Sequence, residues 1–386
     1  MNGNTKGESS SATYKAAQMV AETVAERFKQ FHTQAQEKGA TKVASVPSFQ
    51  IIEELIDVSF WASLRREEGY SPKISLAFLA PGEAAQALLF RKPLSFTPGV
   101  LTKLAPGVER AGIHLGVWPE GDKLCIWGIT RVIPALCFVL DVSEPGLLVV
   151  KYRRLQLEGK FANVAVLKGD QVRIVEEHHL NLPDCPELIT SLISFTSASS
   201  SKGSVNVLVQ LAVSMRAHKR GGTLLVVPAK SDHWRKSIVH PVTYVVEPSF
   251  SGLTELLQQE VQQRKNRWQG DLVRAVDGLA GFTAIDGATI INDQYELLAF
   301  GAKIGRPEGS VPVEQMILTE PVAGNIATVV HPAQHGGTRH LSAAQFVHDQ
   351  RDALALVASQ DGHFTIFSWS PCEGMVHAYR VDALLL

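Results

Sequence analysis

Apolar positions first recur at helical spacing between Thr13 and Lys38, where Val20, Val24, Phe28 and Phe31 share one face of a stretch rich in Ala, Glu, Gln and Lys. That spacing predicts an amphipathic helix, its apolar stripe expected to pack on the body of its own chain. The small polar residues ahead of it, Met1 to Ala12, read as a disordered tail. Phe49–Arg66 reads as a second helix, Lys73–Leu79 as a strand and Gly82–Leu89 as a short helix. The apolar runs His114–Pro119 and Lys123–Ile129 flank Glu120-Gly121-Asp122, the pattern of a β-hairpin. Ala135–Leu140, Gly146–Tyr152 and Asn163–Lys168 are rich in Val and Leu and continue as strands. Leu182–Lys202 carries Pro183, Pro186 and a Ser-rich run. It reads as a linker, within which Leu188–Phe195 is compatible with a helix.

Past the linker, Val205–His218 has one apolar helix face and is closed by Lys219-Arg220-Gly221-Gly222. Thr223–Val227, bounded by Gly222 and Pro228, has the unbroken apolar character of a buried central strand. Leu253–Trp268 reads as one long helix that Asp271–Leu279 extends or follows. Thr283–Ile291, Glu296–Phe300, Ala353–Ala358 and His363–Trp369 read as strands. This order predicts an α/β (α+β) chain. Residues 1–45 form a tail and a helix, residues 46–185 a smaller N-terminal α/β domain, and residues 203–386 a mixed central sheet flanked by helices. Ile113–Gly128 and Ile285–Gly301 are both apolar hairpins ending in Gly. Such hairpins are common, and His114-Leu115 stands where Asp286-Gly287 would align, so the pair alone does not establish an internal duplication.

Composition narrows the function classes. At 45% hydrophobic and 19% charged residues, the 386-residue chain has ample core and is not globally disordered. The 37 Lys and Arg against 38 Asp and Glu leave a net charge of -1, which argues against a nucleic-acid partner. No apolar run is long enough to span a bilayer, so no membrane partner is expected. Cys125, Cys137, Cys185 and Cys372 stand apart without a Cys-x-x-Cys pair, as in a reduced, cytoplasmic protein. His178, His179, His331, His335, His340 and His348 fit no zinc pattern, and neither a Walker loop nor a Gly-x-Ser-x-Gly elbow occurs. Lys151–Arg154 and His233–Lys236 are short basic patches with an aromatic, most simply solvated faces.

Two stretches carry more chemistry. Asp286-Gly287-Ala288 opens an apolar run, and a residue without a side chain there lets a ligand approach the backbone. Gly336-Gly337-Thr338-Arg339-His340 precedes a helical stretch and offers backbone N–H groups, a hydroxyl, a guanidinium and an imidazole, a set suited to phosphate. Read blandly, the first is a β-turn whose Asp binds its own backbone and the second a loop that caps a helix.

Together with Ser359-Gln360-Asp361-Gly362 and the strand Gly222–Val227, these motifs resemble, in order and over roughly Val205–Trp369, the diadenylate cyclase domain that makes cyclic di-AMP. The resemblance implies that Asp286 holds Mg²⁺ or Mn²⁺ when a triphosphate is bound and serves catalysis if the domain is active. It also implies that Gly287 and Ala288 line the nucleotide, and that Gly337, Thr338, Arg339, His340 and Ser359 bind it. It further implies two copies meeting face to face as a homo-oligomer. Leu341 stands where the family has a second Arg, Gln360 where it has an acidic residue, and the stretch from Gly301 to His335 is longer. In these respects the chain is similar to the divergent relatives described as probable sensor domains, DACNV. His114–Pro119 and Leu124–Gly128 of the N-terminal half also resemble them. The expected function is that of a nucleotide-binding sensor in signalling, with ATP or a cyclic dinucleotide as ligand. An active cyclase condensing two ATP and a scaffold without ligand are the alternatives.

Overall fold

The structure, a computed structural model, describes residues 13–40, 43–110, 112–155, 161–175, 207–242, 244–259 and 267–385. The chain divides into two compact units, residues 1–175 and 176–386. The tail 1–12 and the linker 182–202 read from the sequence lie outside the described residues. Each unit is a mixed sheet with helices against it, and seven α-helices occur among the described residues, so the α/β (α+β) expectation holds.

Unit 1 contains helices α1 (Lys15–Glu37), α2 (Phe49–Ser63) and α3 (Pro98–Val108). Its strands are β1 (Ile74–Phe78), β2 (Leu88–Ser95), β3 (His114–Glu120), β4 (Lys123–Thr130), β5 (Phe138–Glu144), β6 (Leu147–Arg153), β7 (Phe161–Lys168) and β8 (Gln171–Ile174). They pair in the order β2-β4-β3-β1-β5-β6-β7-β8, with β1 and β3 parallel. Ser48 starts α2 by accepting the Ile51 N–H, and Thr97 starts α3 in the same way, with Pro98 at the first helical position. The period-two alternation of β1 sorts its side chains. Ile74, Leu76 and Phe78 join Val20, Val24, Phe28, Ile52 and Leu101 in the core under the helices, while Ala77 and Leu79 turn to Trp127, Cys137 and Val139 on the other face. The α1 stripe thus packs on its own unit, as expected.

The Gly82–Leu89 helix does not form. A 3₁₀ turn at Pro81–Glu83 leads into strand β2 instead, and Gln86 has φ 55°. Ala and Gln favour a helix there, but tertiary pairing with β4 prevails over local propensity. The Lys151–Arg154 patch is also structural: Lys151 pairs with Asp141, Arg153 donates to Ile133 O, and Arg154 donates to Phe161 O.

Unit 2 contains α4 (Val207–Ala217), α5 (Gly252–Gln258), α6 (Trp268–Phe282) and α7 (Thr338–Asp349). Its strands are β9 (Gly222–Val227), β10 (Tyr244–Phe250), β11 (Ala288–Asn292), β12 (Leu297–Ala302), β13 (Met316–Thr319), β14 (Thr328–Val330), β15 (Leu354–Ala358), β16 (Phe364–Ser370) and β17 (Met375–Arg380). The sheet order is β10-β12-β11-β9-β15-β16-β17-β13-β14. Every residue of β9 is buried, as its unbroken apolar run predicts. The single helix expected over Leu253–Trp268 is instead α5 and, from Trp268, α6. The strand expected from Thr283 begins at Ala288, because Thr283–Ile285 close turns onto Ala280–Phe282. The helices α4, α5 and α6 cover one face with Leu224, Val226 and Leu356, and α7 covers the other with Leu225, Ile290 and Val357.

The first seven strands of the two sheet orders correspond one to one, each with the same relative direction as its counterpart. Ser75-Leu-Ala-Phe-Leu79 matches Thr223-Leu-Leu-Val-Val227 in position and facing. Leu101-Thr102 and Leu253-Thr254 are buried pairs on the helices that follow β2 and β10. The chain is therefore a structural tandem of one fold. Its copies differ most between the fourth and fifth strands of each chain order. There unit 1 has only Arg131–Cys137, whereas unit 2 inserts β13, β14 and α7. The long stretch after Gly301 is used here: β13 pairs with β17, extends the sheet, and delivers the chain to α7.

Candidate functional site

The expected phosphate-binding residues converge at one end of the unit 2 sheet. Gly222 pairs with Ala358, and Thr223 pairs with both Ala288 and Val357. The turns before β9, before β11 and after β15 therefore lie side by side. Gly221, in the middle turn, has φ +69°. A Cβ there would stand 3.2 Å from Arg339 Nη1, 3.3 Å from Ala358 O and 3.4 Å from Gln360 Cγ. The exposed Arg339 guanidinium thus rests over bare backbone. Helix α7 begins at Thr338 with Gly337 as its N-cap and no side chain capping it, so its first N–H groups have no side-chain acceptor, and Arg339 reaches Gly221 from this first turn. Lys219 and Arg220 are exposed on the adjoining turn, and Gln360 Nε2 donates to Arg220 O at 3.4 Å.

Hydrogen-bond directions assign the nearby histidines. Thr283 Oγ1 donates to Ala280 O at 2.6 Å, so it accepts from His218 Nε2 at 3.0 Å. His218 Nδ1 accepts the Arg220 N–H at 3.2 Å. His218 is then neutral, in keeping with burial and the Arg220 charge, which both lower its pKa. His340 is 6% exposed, lies 3.3 Å from Thr365 Oγ1 through Nε2 and packs edge-on to Phe367. Burial, then Arg380 and His363, push its pKa down to about 4. Within this structure His340 faces the core beneath the loop, and Arg339 supplies the charge at the surface.

Ser359 accepts the His363 N–H through its hydroxyl at 3.1 Å and closes the turn after β15. Arg380 pairs with Glu320 at 2.7 Å and reaches His335 O, tying down the loop before α7. Ala288 is 2% exposed, at the start of its strand. Asp286 is exposed on the turn before β11, flanking Gly221 from the side opposite Ser359. The two lie roughly 10 Å apart by two inter-strand spacings. Gly287 has φ +103° and fits tightly against Gly301. Among the described residues no three His, Cys, Asp or Glu side chains group to hold a metal ion. Asp286 would therefore need a ligand's own phosphate oxygens to complete a divalent ion's shell, an arrangement usual for Mg²⁺. In the sequence Lys219, Arg220 and Gly221 read only as part of a helix terminator. The signal for their part in the site was a basic pair and two glycines directly before a buried strand.

In unit 1 the corresponding cross-strand row is polar. Ser75 Oγ donates to Asp141 Oδ1 at 2.5 Å, and Asp141 pairs with Lys151. Ser75 must therefore accept from His114 Nδ1, 2.7 Å away. Burial outweighs the opposing pull of Asp141, with Lys151 adding a little to it, and leaves the His114 pKa at about 4, so the ring is neutral. The direction His114 to Ser75 to Asp141 is opposite to that of an activated serine, whose proton goes to the histidine. The row is thus a satisfied polar network and not a nucleophile.

Residues 41–131 match the family described as "Probable sensor domain DACNV". The match spans α2, α3 and β1–β4 of unit 1 and includes both N-terminal runs that carry the resemblance, whereas the strand-end residues of unit 2 lie outside it. No curated protein matches the chain. A crystal structure titled as a hypothetical membrane spanning protein from Bacillus cereus is similar at 12% identity, over 52% of this chain and 74% of that one, with a TM-score of 0.28. Among the described residues, no helix is long and apolar enough to cross a membrane.

Proposed function

We propose that unit 2 binds a nucleotide by its phosphate at the strand ends around Gly221 and Arg339, within a sensor-type signalling protein whose unit 1 carries the sensor family's stretch. The observation that carries this reading is an exposed guanidinium, borne on the first turn of an uncapped helix, that rests over side-chain-free backbone. An anion there gains charge-assisted hydrogen bonds without moving the sheet. ATP or a cyclic dinucleotide fits the resemblance to the diadenylate cyclase domain. Leu341, packed against the core under α7, adds no second cation. A cytoplasmic setting goes with the reading, since Cys125 and Cys137 are free thiols.

Titration calorimetry with ATP and with cyclic di-AMP tests the proposal. Arg339→Ala should weaken binding at least about tenfold while leaving the melting temperature unchanged, because an exposed charge-assisted bond to phosphate is worth roughly 1.5–3 kcal/mol. Arg339→Lys should recover only part of the loss, a fork having become a point charge. Equal affinity in Arg339→Ala and wild type would remove the site.

Asp286 gives a second test. In EDTA, wild type and Asp286→Asn should bind ATP alike, and added Mg²⁺ should tighten only the wild type, because an amide is a poorer ligand for a hard cation. Equal tightening of both proteins would free Asp286 from any metal role.

A further inference from the structure

The two copies of the fold end on equivalent edge strands, β2 in unit 1 and β10 in unit 2. Both are exposed over most of their length and carry large apolar side chains: Leu88 (57%) and Leu89 on β2, and Tyr244, Val245 and Phe250 (56%) on β10. Both break register once against their neighbour, and both contain a proline, Pro93 and Pro248. They differ in charge. Exposed Arg91 and Lys92 precede Pro93, whereas exposed Glu247 precedes Pro248.

We infer that β2 of one chain pairs with β10 of a second copy of this chain. An antiparallel register that sets Arg91 opposite Glu247 also sets Leu88 opposite Phe250 and Leu94 opposite Tyr244, so one charged pair lies between two apolar ones. An edge strand presents unpaired N–H and C=O groups, and charges and prolines on it ordinarily prevent indiscriminate pairing. With opposite signs on the two edges, like meets like unfavourably: β2 with β2 opposes Arg91 and Lys92 to their own kind, and β10 with β10 opposes Glu247 to Glu247. Only the unlike pair is both apolar and charge-matched. Because each chain offers one edge of each kind, the contact is head-to-tail and grows into rings or rows. This inference uses the edge strands alone and does not depend on the nucleotide site.

Sedimentation velocity of the full chain in dilute salt should show association that rises with protein concentration and weakens at least about threefold in roughly 0.5 M NaCl, where the charges are screened. Arg91→Glu with Lys92→Glu should sediment as a monomer, and so should Glu247→Lys, since each makes the two edges alike in sign. Mixing the two variants should restore association, because each then finds an unlike edge on the other. All three substituted side chains, Arg91, Lys92 and Glu247, lie at the surface, and circular dichroism of each variant confirms that the sheet is intact before the mixture is read. A wild type that stays monomeric to about 100 µM, a concentration at which contacts far weaker than micromolar are visible, overturns the pairing. So do single variants that associate like wild type, or a mixture that stays apart.

Discussion

Gly287→Ala should destabilise unit 2 by about 3–4 kcal/mol, the sum of a left-handed backbone and an over-packed contact. The added Cβ would stand 2.5 Å from Gly301 C, 2.8 Å from its O and 2.9 Å from Ala302 N, all backbone atoms of β12 that cannot step aside without breaking the β11–β12 hairpin. Gly362 is the control. Its φ is +84°, but nothing stands within 4 Å of its Cβ position, so Gly362→Ala should lose only the backbone part, about 1–2 kcal/mol. Scanning calorimetry reads the difference as a fall in the unit 2 transition of roughly 10 °C against about 4 °C. Equal falls would mean that the Asp286-Gly287 turn does not rest on Gly301, and with it would go the placing of Asp286.

Acid should unfold the protein through three neutral histidines, and unit 2 more steeply than unit 1. Burial is the first cause in each case: His114 in unit 1 and His340 and His377 in unit 2 all have their pKa pushed down to about 4. His377 stacks on Tyr379 at 4.0 Å and meets Thr319 Oγ1 at 2.7 Å. The unfolded chain takes up these protons near pH 6.5 and the folded chain only near 4. Stability is therefore fully present above about pH 6.5 and is lost as pH falls toward 4, by up to about 3 kcal/mol for each group. Carboxylates titrate in part of the same range, so difference measurements isolate the effect. His377→Gln should flatten the pH dependence of the unit 2 transition between pH 6.5 and 4.5 and leave that of unit 1 alone, and His114→Gln should do the reverse. Slopes that are unchanged in both variants would place these rings in contact with water.

How far the sequence reveals this molecule depends on whether local pattern and tertiary setting agree. Thr223–Val227 was legible because an apolar run between Gly and Pro has few other uses, and α1 because its stripe repeats over several turns. The edge strands β2 and β10 were not. Each contains a proline, lies exposed and lacks alternation, so its state is set by the neighbour it pairs with. The duplication was hidden for a related reason: the copies keep facing and burial, as in Leu101-Thr102 and Leu253-Thr254, while identities drift and an insertion shifts the count. At the candidate site, Arg339 and Gly337 stand out in the sequence by their chemistry. The inward turn of His340 does not, because a histidine reads alike whether its ring faces solvent or Thr365. Gly221 escaped because its role lies in what its missing side chain lets Arg339 approach.

The insertion between β12 and β15 also decides when each half of the chain can exist. In unit 1, Ser75 pairs with Asp141, and in unit 2, Thr223 pairs with Val357, across about twice the length of chain. Doubling a loop costs only about 0.6 kcal/mol at equilibrium, so the finished unit hardly feels it. On the ribosome the difference is larger. The central strand of unit 1 meets both its neighbours soon after it is made, while β9 waits with one side open until β15 emerges. A buried apolar strand held open for that long is an aggregation hazard. The strand ends around Gly221 come together only once β15 has emerged, so a chain halted before it would carry a finished first unit beside an open second sheet.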